Sequence, residues 1–446
     1  MRLESSNPAP RRERCEVFVL GGGPSGSTVA TLLAERGRDV VIVEKERHPR
    51  FHIGESLLPL NLPLFDKLGV TQRIEAIAMR KYGAEFTSPH HDKPVTFDFA
   101  DAWDKAHGLA YQVRRSEFDQ ILFENCIGKG ARALQGCQVT DVEIEEDGVR
   151  VRARESDGTQ HEWDAEFLVD ASGRQTFLAN KFGIKQSSRK HGSAALFGHF
   201  AGAERLPGRE EGNISIFWFE HGWFWFIPLL DGTTSVGAVC APAYLASRRT
   251  DPTTFLLQTI ALCPALADRL RHATLTNEVM ATGNYSYESE RMVGERYILL
   301  GDAYAFVDPV FSSGVLLAMN SAFHGAEVVD TWLRDPDQAQ PLMRQFDRTV
   351  RHGIRHFSWF IYRMTSPAIR ELFMHPRNPL RMQEALVSLL AGDLFRGTPI
   401  HWSLRAFKGL YYVTSLRNFR RCLAAWRRRK RTIRDLQTES SVEARM

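Results

Sequence analysis

The stretch Cys15-Glu16-Val17-Phe18-Val19-Leu20-Gly21-Gly22-Gly23-Pro24-Ser25-Gly26 decides the fold. A short apolar, β-prone run enters a glycine loop, and Ser27 to Arg36 then carries a helical pattern. Val40-Val41-Ile42-Val43 follows as a strand apolar on both faces, ending at Glu44. Strand, glycine turn, helix and strand make a βαβ unit. Gly21, Gly23 and Gly26 fit G-x-G-x-x-G, whose glycines let the backbone turn tightly and approach a pyrophosphate at a helix N-terminus. Glu44 stands where a carboxylate accepts hydrogen bonds from an adenosine ribose. A glycine triplet alone says little; in this strand-turn-helix setting it predicts a dinucleotide site.

Two later segments end in the same way. Glu166-Phe167-Leu168-Val169-Asp170-Ala171-Ser172-Gly173 and Tyr297-Ile298-Leu299-Leu300-Gly301-Asp302 are strands meeting glycine turns, so one sheet is expected from sequence-distant pieces. Asp302, at a strand end beside a helix N-terminus, suits a ribityl hydroxyl and favours FAD over NAD. Val113-Arg114-Arg115-Ser116-Glu117-Phe118-Asp119 resembles the V-x-R-x-x-F-D element of group A flavin monooxygenases, a likeness that assigns Arg115 to the cofactor. With no second G-x-G-x-x-G unit, a separate NAD(P)H domain is not expected.

Between these pieces, residues 83–113 and 188–285 alternate apolar and polar side chains, as in Thr233 to Val239, and predict a second, antiparallel sheet roofing the flavin. From about residue 350 the apolar period becomes helical through Phe357, Ile361, Met364, Ile369 and Phe373, then Leu386, Leu389 and Leu390. The expected architecture is α/β: a Rossmann-type FAD-binding domain from residues 15–80, 110–187 and 286–350, a β-sheet substrate domain from 81–109 and 188–285, and a C-terminal helical cap from 351–446.

Size and composition agree with several lobes. The chain has 446 residues, 43% hydrophobic and 25% charged, more than one core usually supports. Its six cysteines are scattered without metal-ligand spacing, so neither a disulfide framework nor a metal centre is expected, and a reducing cytoplasm fits. The first fifteen residues lack the apolar core of a signal peptide, and no apolar run of about 18 residues occurs. Net charge is only +4, yet Arg417, Arg420, Arg421, Arg427 to Arg429, Lys430, Arg431 and Arg434 form an acid-free basic tail. Three readings stand for it: a solvated helix end, a contact with an anionic membrane surface, or a dock for an acidic protein. No nucleic-acid-binding module accompanies the charge.

Gly222-Trp223-Phe224-Trp225-Phe226-Ile227-Pro228 sharpens the cofactor's chemistry. Four aromatics before Ile-Pro predict a strand with stiff side chains on both faces. Together with Gly54-Glu55-Ser56-Leu57-Leu58-Pro59 and Phe306-Val307-Asp308-Pro309-Val310-Phe311-Ser312-Ser313-Gly314, this W-x-W-x-I-P segment resembles the flavin-dependent halogenases of the tryptophan halogenase superfamily, over about residues 15–400. The resemblance implies a two-component enzyme: a separate flavin reductase supplies FADH2, O2 gives a flavin C4a-hydroperoxide, and chloride or bromide is oxidised to hypohalous acid.

Site residues follow from the same resemblance. Met79-Arg80-Lys81-Tyr82-Gly83-Ala84 resembles the K-x-G-A segment of pyrrole and phenol halogenases, which makes Lys81 the amine that holds hypohalous acid or forms a haloamine; a desolvated lysine is suited to either role. The alternative is an ordinary surface lysine beside Arg80. The turn before the helix Val315 to Ala322 offers amides of Ser312, Ser313 and Gly314 to a halide, and the serines are equally suited to capping that helix. Trp223 and Trp225 are, in the family, the rings that bar substrate from the flavin; they are also what a core strand contains.

Phe311 stands where tryptophan halogenases carry a glutamate. That departure, with the shorter chain, points away from free tryptophan and toward a phenolic or pyrrolic natural-product precursor, of a kind that several such enzymes take tethered to an acyl carrier protein. A basic tail would steer an acidic carrier. The rivals are an aromatic hydroxylase or geranylgeranyl-reductase-like enzyme, and a non-catalytic flavoprotein that binds a carrier or membrane.

Overall fold

The computed structural model of the chain describes residues 11–187, 193–283, 286–393, 395, 398–425 and 427. Most of the basic tail, from Arg428 onward, lies outside the described residues. Five strands run parallel in the spatial order Tyr297–Leu299, Gln160–Asp170, Arg11–Leu20, Val40–Glu44, Arg132–Gln135. Val293–Gly294 adds an antiparallel edge, and the Cys137–Ile144 and Val149–Glu155 hairpin pairs with Gln160–Asp170. Charged Arg11–Arg14 belongs to the first strand because it pairs with His161–Asp164, where Arg12 Nε donates to Asp164 Oδ2 at 2.7 Å.

The glycine loop is rigidly dictated. Gly21 has φ of +103°, and a Cβ at Gly26 would stand 1.8 Å from the Gly21 carbonyl oxygen. The following helix, Pro24–Glu35, starts earlier than its apolar period indicates, because Pro24 presets the helical φ at its first position. Asp170 closes the second glycine turn by accepting from the amides of Ser172 (2.9 Å) and Leu178 (2.8 Å).

A second sheet lies over the first, in the order Thr274–Leu275, Ala194–Ala201, Thr233–Cys240, Gly222–Pro228, Ile214–Phe219, Gly83–Thr87, Val95–Asp98. It is antiparallel except where Ile214–Phe219 runs parallel to Gly83–Thr87; these strands come from separate insertions, so no hairpin imposes an antiparallel pair. Lys81 sits just outside it, on the Met79–Lys81 strand paired with Ala110–Gln112. The tryptophan strand is buried on both sides: Trp223 and Trp225 face the main core, while Phe224 and Phe226 join a separate core with Phe217, Leu256 and Leu266.

The C-terminal run of helices begins at Gly314–Arg334, before residue 350, and continues through Pro336–Ile361, Pro367–Met374, Met382–Leu390 and Ile400–Arg417. The apolar positions named above, from Phe357 to Leu390, are all buried. Trp218 Nε1 donates to the Met364 carbonyl at 3.0 Å and ties the roof to these helices. Among the described residues, no helix is long and apolar enough to cross a membrane.

Candidate active site

A cavity of about 410 Å³ opens between the parallel sheet and the roof. It brings together Gly21, Gly23, Glu44, Arg115, Trp223, Trp225, Asp302, Ser312 and Gly314. Gly26 and Gly301 stand behind its wall: Gly301, with φ of +55°, packs against Ala318, and its amide donates to Ser321 Oγ at 3.0 Å. Each parallel strand that ends here contributes its last residue or the turn after it.

The wall suits FAD. Glu44 is buried and accepts from the Gly22 amide (2.8 Å) and the Glu46 amide (3.0 Å), which fixes its carboxylate at the cavity edge. Asp302 turns its carboxylate to the cavity with no side-chain hydrogen bond among the described residues, and burial pushes its pKa up to about 6. A ribityl hydroxyl would supply the missing donor. Arg115 is placed differently from a free cation. Its guanidinium forks onto Asp119 (2.8 and 3.0 Å) and donates to the Ile53 carbonyl (2.8 Å), so the aspartate of the V-x-R-x-x-F-D element holds the arginine at the wall. Burial acts to raise the Asp119 pKa, but Arg115 and Arg50 hold it below the usual carboxylate range.

Lys81 is not a surface lysine. Its side chain is 1% exposed, and Nζ donates to Ser56 Oγ at 2.9 Å and the Leu57 carbonyl at 3.0 Å, with the Phe99 ring 5.3 Å away. Burial without a carboxylate partner pushes its pKa down to about 7. It faces a second, small cavity of about 10 Å³, roughly room for one water-sized molecule, lined also by Phe99, Phe311 and Ser312. Ser312 and Ile214 line both cavities, so they form the wall between the cofactor space and the lysine.

Around that wall the serines do not cap their helix. Ser313 precedes Gly314–Arg334, but its side chain makes no cap hydrogen bond and its buried Oγ has no partner among the described residues. Ser312 takes the left-handed conformation at φ of +55°. Ser313 lines neither cavity; it lies between Ser312, which lines both, and Gly314, which lines the larger one and opens the 21-residue helix, and the Ser312 amide expected to meet a halide instead donates to the Pro309 carbonyl at 2.9 Å.

Two site residues were not identified from the sequence. His199, on the roof, places Nε2 2.8 Å from Oε1 of Glu55, a residue of the cavity wall; both side chains are buried, and Glu55 Oε2 has no hydrogen-bond partner among the described residues. Glu55 was visible within the Gly54 to Pro59 motif, but His199 is a lone histidine in an apolar strand, with no local signal to single it out. Arg50 lines the cavity between Glu44 (3.4 Å) and Asp119 (3.0 Å), and only the folded chain brings those acids to it.

Fold and cavity together define a flavoprotein of the FAD-dependent oxidoreductase class, and residues 14–335 match the family described as FAD binding domain. The chain is 29% identical to the 1H-pyrrole-2-carbonyl-[peptidyl-carrier protein] chlorinase of Pseudomonas fluorescens, over 86% of this chain and 90% of that protein. It is 35% identical to the tryptophan 2-halogenase of Chondromyces crocatus, over 70% of this chain and 60% of that one. The solved structure of the myxobacterial chondrochloren halogenase CndH superposes with a TM-score of 0.76 at 34% identity, covering 91% of this chain and 97% of that chain. The chain belongs to the flavin-dependent halogenases.

Proposed function

We propose that this halogenase chlorinates or brominates an electron-rich phenolic or pyrrolic precursor, with Lys81 carrying the halogen between the cofactor cavity and the substrate. The observation that carries the reading is the buried, acid-free Lys81 in a pocket that shares Ser312 and Ile214 with the flavin cavity. FAD, held at Gly21, Gly23, Glu44 and Asp302 and reduced by a separate reductase, supplies the electrons that let O2 oxidise halide to hypohalous acid.

The protein's own groups then act in sequence. The halide is held at the N-terminus of the Gly314–Arg334 helix, by the amides of Ser313 and Gly314 beside the Ser312 side chain. Trp223 and Trp225, both buried at the cavity wall, keep water and substrate out. Neutral Lys81 attacks the halogen of hypohalous acid: an N–X bond forms, the O–X bond breaks, and hydroxide leaves with the amine proton as water. The ring then attacks the halogen; the N–X pair returns to nitrogen, and the proton lost from the ring restores the amine. A pKa near 7 keeps a large neutral fraction at neutral pH, which this attack requires.

Phe311 offers no carboxylate to an indole nitrogen, which favours phenols and pyrroles; the 35% identity to a tryptophan 2-halogenase makes indoles the comparison to include. The pyrrole chlorinase relative supports a carrier-tethered substrate. We also propose the three-part division given above: FAD-binding, β-sheet substrate and C-terminal helical regions.

The test is mass spectrometry of products from purified protein with FAD, flavin reductase, NADH, O2 and chloride or bromide, offering pyrrolyl- and hydroxybenzoyl-carrier proteins, free phenols and tryptophan. A halogen isotope pattern on a phenol or pyrrole that disappears in Lys81→Ala supports the reading. A halide-independent gain of one oxygen would replace it with hydroxylation.

A further inference from the structure

Away from the flavin, three imidazoles meet between two C-terminal helices. His352 and His356 are an i, i+4 pair on Pro336–Ile361, which puts both rings on one helix face, and His401 lies in the first turn of Ile400–Arg417. One ring nitrogen from each lies within 4.8 Å of the other two. The ring centroids are 4.2 Å apart for His352 and His356, 5.8 Å for His352 and His401, and 5.9 Å for His356 and His401. We infer that His352, His356 and His401 form a binding site for a first-row transition metal of the zinc type, which clips the Ile400–Arg417 helix to Pro336–Ile361.

Geometry and tautomer both support it. His356 Nδ1 is 2.9 Å from the His352 carbonyl, which only accepts, so Nδ1 carries the proton and Nε2 keeps its lone pair. Neither His352 nor His401 makes a side-chain hydrogen bond or ion pair among the described residues. In a tetrahedral site with metal–nitrogen bonds of about 2.0–2.1 Å, ligand nitrogens stand about 3.3 Å apart. Closing from at most 4.8 Å needs no more than about 1.5 Å, which ring rotation provides for one exposed and two half-buried histidines.

Arg355 and Lys408 lie close enough to oppose added positive charge. That selects metals bonding strongly to imidazole nitrogen over magnesium or calcium, which prefer oxygen. A second group, His91, Glu371 and His375, needs no metal to explain it. Glu371 lies 3.6 Å from His91 Nε2 and 3.2 Å from His375 Nδ1, and His91 Nδ1 is 2.9 Å from Ser88 Oγ. The scattered cysteines gave no expectation of a metal centre, and the histidine cluster has no contiguous signal, since His401 joins the His352-x-x-x-His356 pair only through helix packing.

The experiment is calorimetric titration of zinc sulfate into the full, tag-free chain, with cobalt(II) absorption as a spectroscopic check. Wild-type protein and His375→Ala should each bind zinc, with a tetrahedral cobalt band. His352→Ala, His356→Ala and His401→Ala, each with unchanged circular dichroism, should bind at least about tenfold more weakly. Zinc should also raise the thermal midpoint of wild type but not of His401→Ala. Absence of zinc binding to wild type, or equal binding by the three variants, overturns the proposal.

Discussion

At the scale of single residues, the site includes buried ionisable groups that have no partner of opposite charge. Lys81 is the plainest case. An ordinary lysine titrates at 10.5, and here the amine sits near 7 because nothing anionic offsets its loss of water. Between about pH 7 and pH 10.5 the unfolded chain therefore holds a proton that the native state has released, and the part of the stability that Lys81 contributes should rise with pH across that window, against the buried thiols, whose raised pKa values act the other way at its upper end; below about 7 both states are protonated and the Lys81 contribution no longer changes. Lys81→Met should abolish that rise, measured as urea midpoints across the range. The same variant should lower halogenation by about a hundredfold or more while flavin oxidation in the reductase-coupled assay continues. Asp302→Ala removes the acceptor left open to the cavity, and FAD affinity by fluorescence titration should fall about tenfold or more.

Among elements, close approach is what the glycines and the aromatic strand provide. A methyl at Gly26 would collide with the Gly21 carbonyl oxygen at 1.8 Å, a backbone atom that cannot swing aside as a flexible side chain could, so Gly26→Ala should lose FAD and melt at lower temperature by calorimetry. Gly237 lies beneath Trp225, where a Cβ would fall 2.2 Å from the ring, and Trp225 Nε1 donates to Ser235 Oγ at 3.1 Å. Gly237→Ala should push that ring from its place without touching the lysine. The expected outcome is peroxide released at the expense of halogenated product, read as hydrogen peroxide formed per NADH consumed. Unchanged coupling would leave Trp225 a core side chain and nothing more.

For the whole molecule, the partner question turns on the C-terminal surface. Ile400–Arg417 and its extension leave Trp402, Tyr412, Leu416 and Phe419 exposed beside Arg405, Arg417, Arg420 and Arg421. If this surface receives an acidic carrier protein, kcat/KM for a carrier-bound substrate should fall steeply between low and moderate salt, while turnover of a free phenol changes little. Equal salt dependence for both would set the carrier reading aside.

Local physics made the βαβ unit, the glycine turns, the tryptophan strand and the helical cap legible, because each rests on a period of two or of 3.6 residues or on glycine's freedom at positive φ. Strand-end and helix-start patterns also marked Asp302, Ser312 and Ser313, while Lys81 stood out only through the resemblance of its contiguous segment to halogenases. Only tertiary structure decided what those residues face. Burial of Lys81 depends on Ser56, Leu57 and Phe99 closing around it; the unpaired Ser313 hydroxyl depends on helix placement; His199 meets Glu55 across 144 positions of sequence. Desolvation and partner geometry are properties of the surroundings, and the surroundings come from distant segments that no local pattern specifies.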